Sequence, residues 1–477
     1  MLRFPKLSFL RKKKPVRTSS YRTFIEQYPD YASTFMVDRL RATDYYRLDR
    51  LGHTYLDYTG GSLYADCQLD AHQELLRNNV FGNPHSTNPT SQASTKFLDE
   101  TRQFVLDYFN CGDDYFCIFT ANASAAIKIV GECFPFCENS ELLLTFDNHN
   151  SINGLREFAR NGDCATGYVP AQIENLRIDE GKLKEALDAC PDKKNKLFAY
   201  PAQSNVSGVK HGLEWVKYAQ DQDWDVLLDA AAFVPTNKLD LQAVKPNFVS
   251  ISFYKMFGYP TGMGCLLMRK DSFKKLKKPW FAGGTVSLVS ILADDYILAE
   301  NHEKFEDGTV NYLGIPAIKI GLEHINKVGI ETIQLRVKCL TGWLINHLDE
   351  LKHSTGAPLV QISGPITNEE RGGTIIMNFY DKDGSKLPFF EVEQRANAAK
   401  ISLRTGCFCN PGIDELNSDL SQDQLGEYFT SRDSKSAKMI MESVGTIRGA
   451  IRISFGLASN FADAERFLVF AKTFLDE

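Results

Sequence analysis

The stretch DVLLDAAAFVPTNKLDLQAVKPNFVSISFYK (225–255) contains two blunt apolar runs, DVLLD (225–229) and FVSISF (248–253). Neither alternates apolar with polar residues, so each predicts a strand buried on both faces, as in a parallel sheet. The first run ends on Asp229 followed by three alanines, and the second leads directly into Tyr254 and Lys255. Ligands of doubly wound sheets collect at the carboxyl ends of the strands. A carboxylate and an amine arriving there 26 residues apart are therefore the first candidates for chemistry.

Outward from this stretch the same pattern recurs in YFCIF (115–119), LLLTF (142–146), KLFAY (196–200) and GCLLM (264–268). Helical stretches lie between them, such as STKFLDETRQFVLDYF (94–109), where Phe97, Thr101, Phe104, Val105 and Tyr108 follow i, i+3, i+4 spacing. The alternation predicts an α/β fold with a mostly parallel central sheet. After Gly308 the pattern changes to long helices, IPAIKIGLEHINKVG (315–329) and ETIQLRVKCLTGWLINHLDELK (331–352), then strands TIIMNFY (374–380) and AIRISF (450–455). This reads as a smaller α+β domain. The expected division is a basic tail (1–20), a segment contributing to the small domain (21–75), a large domain (76–330) and a small domain (331–477). The polar stretch 413–437 reads as a surface insertion.

With 477 residues the chain suits two packed domains. Its 43% hydrophobic and 24% charged residues are ordinary for a globular protein, and a net charge of −6 gives no general attraction to nucleic acid. Eleven scattered cysteines, an odd count, and the lack of a secretory signal predict free thiols in a reduced, cytoplasmic setting. No apolar run approaches the roughly 20 residues of a membrane span. The segment MLRFPKLSFLRKKKPVR (1–17) has seven basic residues and no acidic one. A solvated tail, an organelle-targeting segment and contact with acidic lipid are all open to it.

Three further strand ends belong with Lys255. Strand 115–119 runs into Thr120, Ala121, Asn122, Ala123 and Ser124 and then a helix, whose amides and dipole suit an anion. A plain cap by Asn122 or Ser124 is the competing reading. Strand 142–146 ends near His149, which as a lone histidine reads equally as a satisfied polar residue. Asp229 emerges from apolar surroundings and needs a cation, such as a protonated ring nitrogen. Lys255 is either an exposed charge or a desolvated amine suited to Schiff-base formation. In this order, the four describe how a sheet edge holds pyridoxal 5'-phosphate (PLP).

The runs SISFYKMFGYPTGMG (250–264), LDYTGGSLY (56–64), GNPHSTNPTS (82–91), LRTGCFCNPG (403–412) and AIRISFG (450–456) carry a resemblance. From about residue 20 to 477 the chain resembles the class V aminotransferase-type cysteine desulfurases, and within them the N-terminal domain of molybdenum cofactor sulfurases. The likeness implies a PLP fold type I enzyme with Lys255 as the Schiff-base lysine, His149 stacked on the ring and Asp229 on its nitrogen. Asn205 would lie beside the phenolic oxygen and the substrate. Ala123, Ser124 and Ser252 would contact the phosphate, and Thr309 would reach it from a second subunit, implying a homodimer. Arg452 would grip the substrate carboxylate in a bidentate manner.

In the same likeness Cys409 is the nucleophile that takes sulfur from L-cysteine, leaving alanine and a persulfide, with Arg404 favouring the thiolate. Cys407 has no general counterpart, and no companion cluster supports a metal site. Tyr254 replaces a histidine and Ala232 a glutamine found in many relatives. The molybdenum-cofactor-binding domain of full-length sulfurases is expected to be missing, because the sequence ends at Glu477. The sulfur acceptor, molybdenum cofactor or a separate acceptor protein, stays open. So do a different class V reaction, transamination or lyase chemistry, and a non-catalytic scaffold.

Overall fold

The computed structural model describes residues 19–417, 426 and 449–477. The basic tail up to residue 18, and most of the polar stretch 413–437, lie outside them.

The central sheet has seven strands: β1 (Tyr115–Thr120), β2 (Ser140–Thr145), β3 (Ala165–Val169), β4 (Asn195–Pro201), β5 (Trp224–Asp229), β6 (Phe248–Ser252) and β7 (Gly264–Arg269). Their spatial order is β1-β7-β6-β5-β4-β2-β3. All neighbours are parallel except β7, which runs antiparallel to both β1 and β6. Every residue of β5 and β6 is buried, which is why their apolar runs do not alternate. The structure ends β6 at Ser252, so Phe253 belongs to the following helical turn, Phe253–Phe257, which carries Lys255. Strand β3 was not legible as a strand because, on the sheet edge, only Val169 of its five residues is buried.

Helices α1 (Pro89–Tyr108), α2 (Ala123–Cys133), α3 (Pro316–Val328), α4 (Ile330–Asp349) and α5 (Phe461–Lys472) surround this sheet and a smaller one. The smaller sheet is antiparallel, in the order β8-β9-β11-β10, from β8 (Val360–Ser363), β9 (Thr374–Phe379), β10 (Arg404–Gly406) and β11 (Ala450–Ser454). Its register sets Arg404 opposite Arg452.

One apolar core runs continuously from Val249 and Ile251 of β6 to Met377 of β9 and Ile453 of β11. Residues of the first helices seal it. Phe24 stacks on Phe461 with ring centroids 4.6 Å apart and meets Tyr31 edge-on at 4.8 Å. Arg41 pairs with Asp463, and Arg336 donates to the Ser459 carbonyl and to Thr34 Oγ1, all buried. These buried cations are tolerable because each is paired and hydrogen-bonded. Among the described residues no helix is long and apolar enough to cross a membrane.

Candidate active site

A cavity of about 300 Å³ opens at the carboxyl ends of β4, β5 and β6. Its wall includes Lys255, Asp229, His149, Asn205, Ser252 and Ser124.

On one side β1 turns into α2. Asn122 caps that helix by accepting the Ala125 amide at 2.9 Å, and the Ala123 amide donates to Ser252 Oγ at 3.0 Å. Ser124 Oγ and Ser151 Oγ are 2.5 Å apart. The cap thus orders a turn whose residues Ala121 to Ser124 line the cavity. Gly264 lets β7 approach it, since a Cβ there would strike the Asn122 backbone.

Asp229 ends β5, and its Oδ1 accepts from Ser250 Oγ at 2.9 Å and from the Ala231 amide at 3.1 Å. Its second oxygen has no protein donor among the described residues. His149 Nδ1 accepts the Ser151 amide at 3.1 Å, which fixes the ring. Burial pushes the His149 pKa below 6.5 against the opposing pull of Asp229. Lys255 Nζ has no hydrogen bond or salt bridge among the described residues. Burial lowers its pKa below 10.5; Asp229 opposes this, while Arg452 and Arg404 add to it. A lysine left unpaired in such a site is an amine available to a carbonyl.

Cys409 is exposed and lies outside the cavity wall. Phe408 and Cys409 both have φ of 55°, a strained region for side-chain-bearing residues. Three contacts hold them there. Asn205 Nδ2 donates to the Phe408 carbonyl at 2.9 Å, the Asn150 amide to the Cys409 carbonyl at 2.7 Å, and Asn410 Nδ2 to Asn205 Oδ1 at 3.0 Å.

Arg452 is buried behind Asn205. Its Nη1 donates to the Asn205 carbonyl at 2.9 Å and its Nη2 to Asp57 Oδ1 at 2.8 Å, while Nε has no partner among the described residues. Thr309 is exposed on the loop after the turn His302–Phe305, away from the cavity wall. The fold thus brings Lys255, Asp229, His149, Asn205, Ala123, Ser124 and Ser252 around one space, with Cys409 and Arg452 at its margin and Thr309 outside. Sequence reasoning passed over Asp57, Ser151 and Gln203. The position of Gln203 just past the carboxyl end of β4 was the available signal.

This fold and site are those of the class V aminotransferase family: the family model "Aminotransferase class-V" matches residues 54–467, and the chain belongs to that family. More particularly, the chain is 34% identical over 487 residues to molybdenum cofactor sulfurase of Arabidopsis thaliana, covering 93% of this chain and 58% of the relative. It is 36% identical over 472 residues to that of Solanum lycopersicum, covering 92% and 57%. The human molybdenum cofactor sulfurase is 34% identical over 454 residues, covering 90% and 50%. The chain therefore spans between half and three-fifths of the length of these relatives. Among solved structures, the apo cysteine desulfurase of Thermococcus onnurineus has a TM-score of 0.75 at 24% identity, covering 92% of this chain and 98% of that one. The Escherichia coli cysteine desulfurase CsdA gives 0.73 at 18%, with the same coverage. Both establish the fold.

One neighbour of this fold, a C-DES variant with a TM-score of 0.67 at 16% identity, carries a PLP cofactor. The residues present fit it: an unpaired amine at Lys255, an open carboxylate oxygen at Asp229, a fixed imidazole at His149 and an anion-suited helix start at Ala123.

Proposed function

We propose that this chain is a cysteine desulfurase-type sulfurtransferase that converts L-cysteine to L-alanine and collects the sulfur as a persulfide on Cys409. The observation that carries this reading is that Asn205, in the wall that also holds the unpaired Lys255, donates to the Phe408 carbonyl and so anchors the loop that carries the exposed Cys409.

Bound in the cavity, PLP supplies an electron sink for bonds at the substrate α-carbon. The other tasks fall to the chain. Lys255 holds the cofactor and then moves protons at the substrate carbons. Asp229 keeps the ring nitrogen protonated, and His149 covers the ring face. Ala123, Ser124 and Ser252 hold the phosphate, and Arg452 receives the substrate carboxylate. The Cys409 thiolate attacks the substrate sulfur: the carbon–sulfur bond breaks, a sulfur–sulfur bond forms, and the substrate β-carbon gains the proton that completes alanine. Sulfur is oxidised to the sulfane level as the carbon is reduced, so no outside oxidant is needed.

The sulfurase relatives support passage of this sulfur onward, with molybdenum cofactor or a separate acceptor protein as the recipient. The exposed Thr309 supports a homodimer in which it completes the phosphate site of a second copy. The test is to incubate the PLP-loaded protein with L-cysteine and quantify alanine. Stoichiometric alanine without an added acceptor, rising to turnover with a thiol reductant, is the expected result. Pyruvate and free sulfide in place of alanine would instead mark a lyase.

A further inference from the structure

We infer that Gln203 is a cofactor-positioning residue, whose side-chain amide donates a hydrogen bond to the phenolic oxygen of the bound ring. This rests on the PLP reading above.

The orientation of the amide follows from a chain of hydrogen bonds across the fold. Asn237 Nδ2 donates to the Phe233 carbonyl at 2.9 Å, and a carbonyl only accepts, so the Asn237 amide has one orientation. In that orientation its Oδ1 accepts Gln334 Nε2 of α4 at 2.9 Å. Its nitrogen also donates to Gln203 Oε1 at 3.3 Å. The oxygen of Gln203 is thereby assigned, and Nε2 is the end left over. No hydrogen bond to Nε2 exists among the described residues, although Gln203 is 97% buried, being only 3% exposed. Gly372 makes room for the amide, because a Cβ there would collide with it.

Gln203 lines the cavity whose wall also includes Asp229, Ala232 and Lys255. An amide N–H without a partner in the protein is a donor that a ligand in that cavity can use. The chemistry of the ring selects which ligand atom. Phosphate arm and phenolic oxygen flank the aldehyde on opposite sides. The phosphate residues sit on α2 and β6, and Gln203 follows β4, two strands across the sheet from β6 beyond Asp229. Asn205, the other amide on this side, gives one Nδ2 hydrogen to the Phe408 carbonyl and accepts Asn410 Nδ2 on its Oδ1. With alanine at position 232, Gln203 is the amide whose nitrogen has no hydrogen-bond acceptor among the described residues.

The test is a spectrophotometric pH titration of the bound cofactor in Gln203→Leu, Gln334→Leu and wild type, with cofactor affinity from equilibrium dialysis and melting temperature as a folding control. A lost donor to the phenolate is worth a shift of about half to one pH unit. The titration of Gln203→Leu should move upward by that amount, with cofactor binding weakened about three- to tenfold. Gln334→Leu, which loosens the chain without touching the cavity, should shift the same way by less. If the wild type takes up PLP with a visible band and neither variant moves its titration, the role of Gln203 is refuted. If the wild type acquires no band, the PLP reading itself fails. Should Gln203→Leu not fold, Gln203→Met and Gln334→Leu decide the question by the same criterion.

Discussion

Asp57 Oδ1 lies 2.8 Å from Arg452 Nη2, and the same carboxylate also receives Nε and Nη2 of Arg404. One buried carboxylate thus neutralises one of two guanidiniums that face each other across β10 and β11, leaving the cluster with a net positive charge.

Asp57→Asn should therefore leave Arg452 buried without its counter-charge. Breaking a buried pair from one side costs about 3–5 kcal/mol. A marked fall in melting temperature is expected, together with a raised KM for L-cysteine in the surviving fraction. Calorimetry and steady-state kinetics check this.

The low pKa of Lys255 has a stability consequence. Below its folded pKa the native state must carry a buried ammonium that the unfolded chain hydrates freely, so the unfolded state binds protons more readily. In the cofactor-free protein Lys255→Met should be more stable than wild type at neutral pH. The gap should close as the pH rises toward 10.5, the ordinary lysine value. Denaturant midpoints across this range measure it.

Asn205 holds the strained backbone at Phe408 and Cys409 through two hydrogen bonds. Asn205→Ala removes about 1–3 kcal/mol of support at about 0.5–1.5 kcal/mol per bond. Amide exchange at residues 408–410 should accelerate, and persulfide formation should slow about tenfold or more. Hydrogen exchange read by mass spectrometry, beside rapid-quench assays, tests both.

Phe24→Ala removes a fully buried ring that packs on Tyr31, Trp343 and Phe461. The expected destabilisation is about 3–5 kcal/mol, read from equilibrium unfolding.

Most of the central sheet was legible because β5 and β6 are buried on both faces and write themselves as unbroken apolar runs. The edge strand β3 was not, since its sequence ATGYV meets solvent. The hairpin Val286–Ser290 with Asp295–Leu298 was equally hidden, as its apolar Leu288 and Ile297 point outward instead of toward a core. In the candidate site, Lys255, Asp229 and His149 were legible from strand ends. The Asp57–Arg404–Arg452 cluster was not, because Asp57 stands 347 and 395 residues from the two arginines and joins them only when residues 54–57 pair alongside Ile401, Ser402 and Ser454. The Gln203–Asn237–Gln334 chain likewise exists only once α4 is docked.

The most direct test of the central claim is peptide mapping of the PLP-loaded protein after one turnover with L-cysteine, comparing wild type with Cys409→Ser and Cys407→Ser. One added sulfur on the peptide bearing Cys409, retained in Cys407→Ser and abolished in Cys409→Ser, is the predicted result. Persulfide that survives in Cys409→Ser and disappears in Cys407→Ser, or alanine formation undiminished without Cys409, would contradict it.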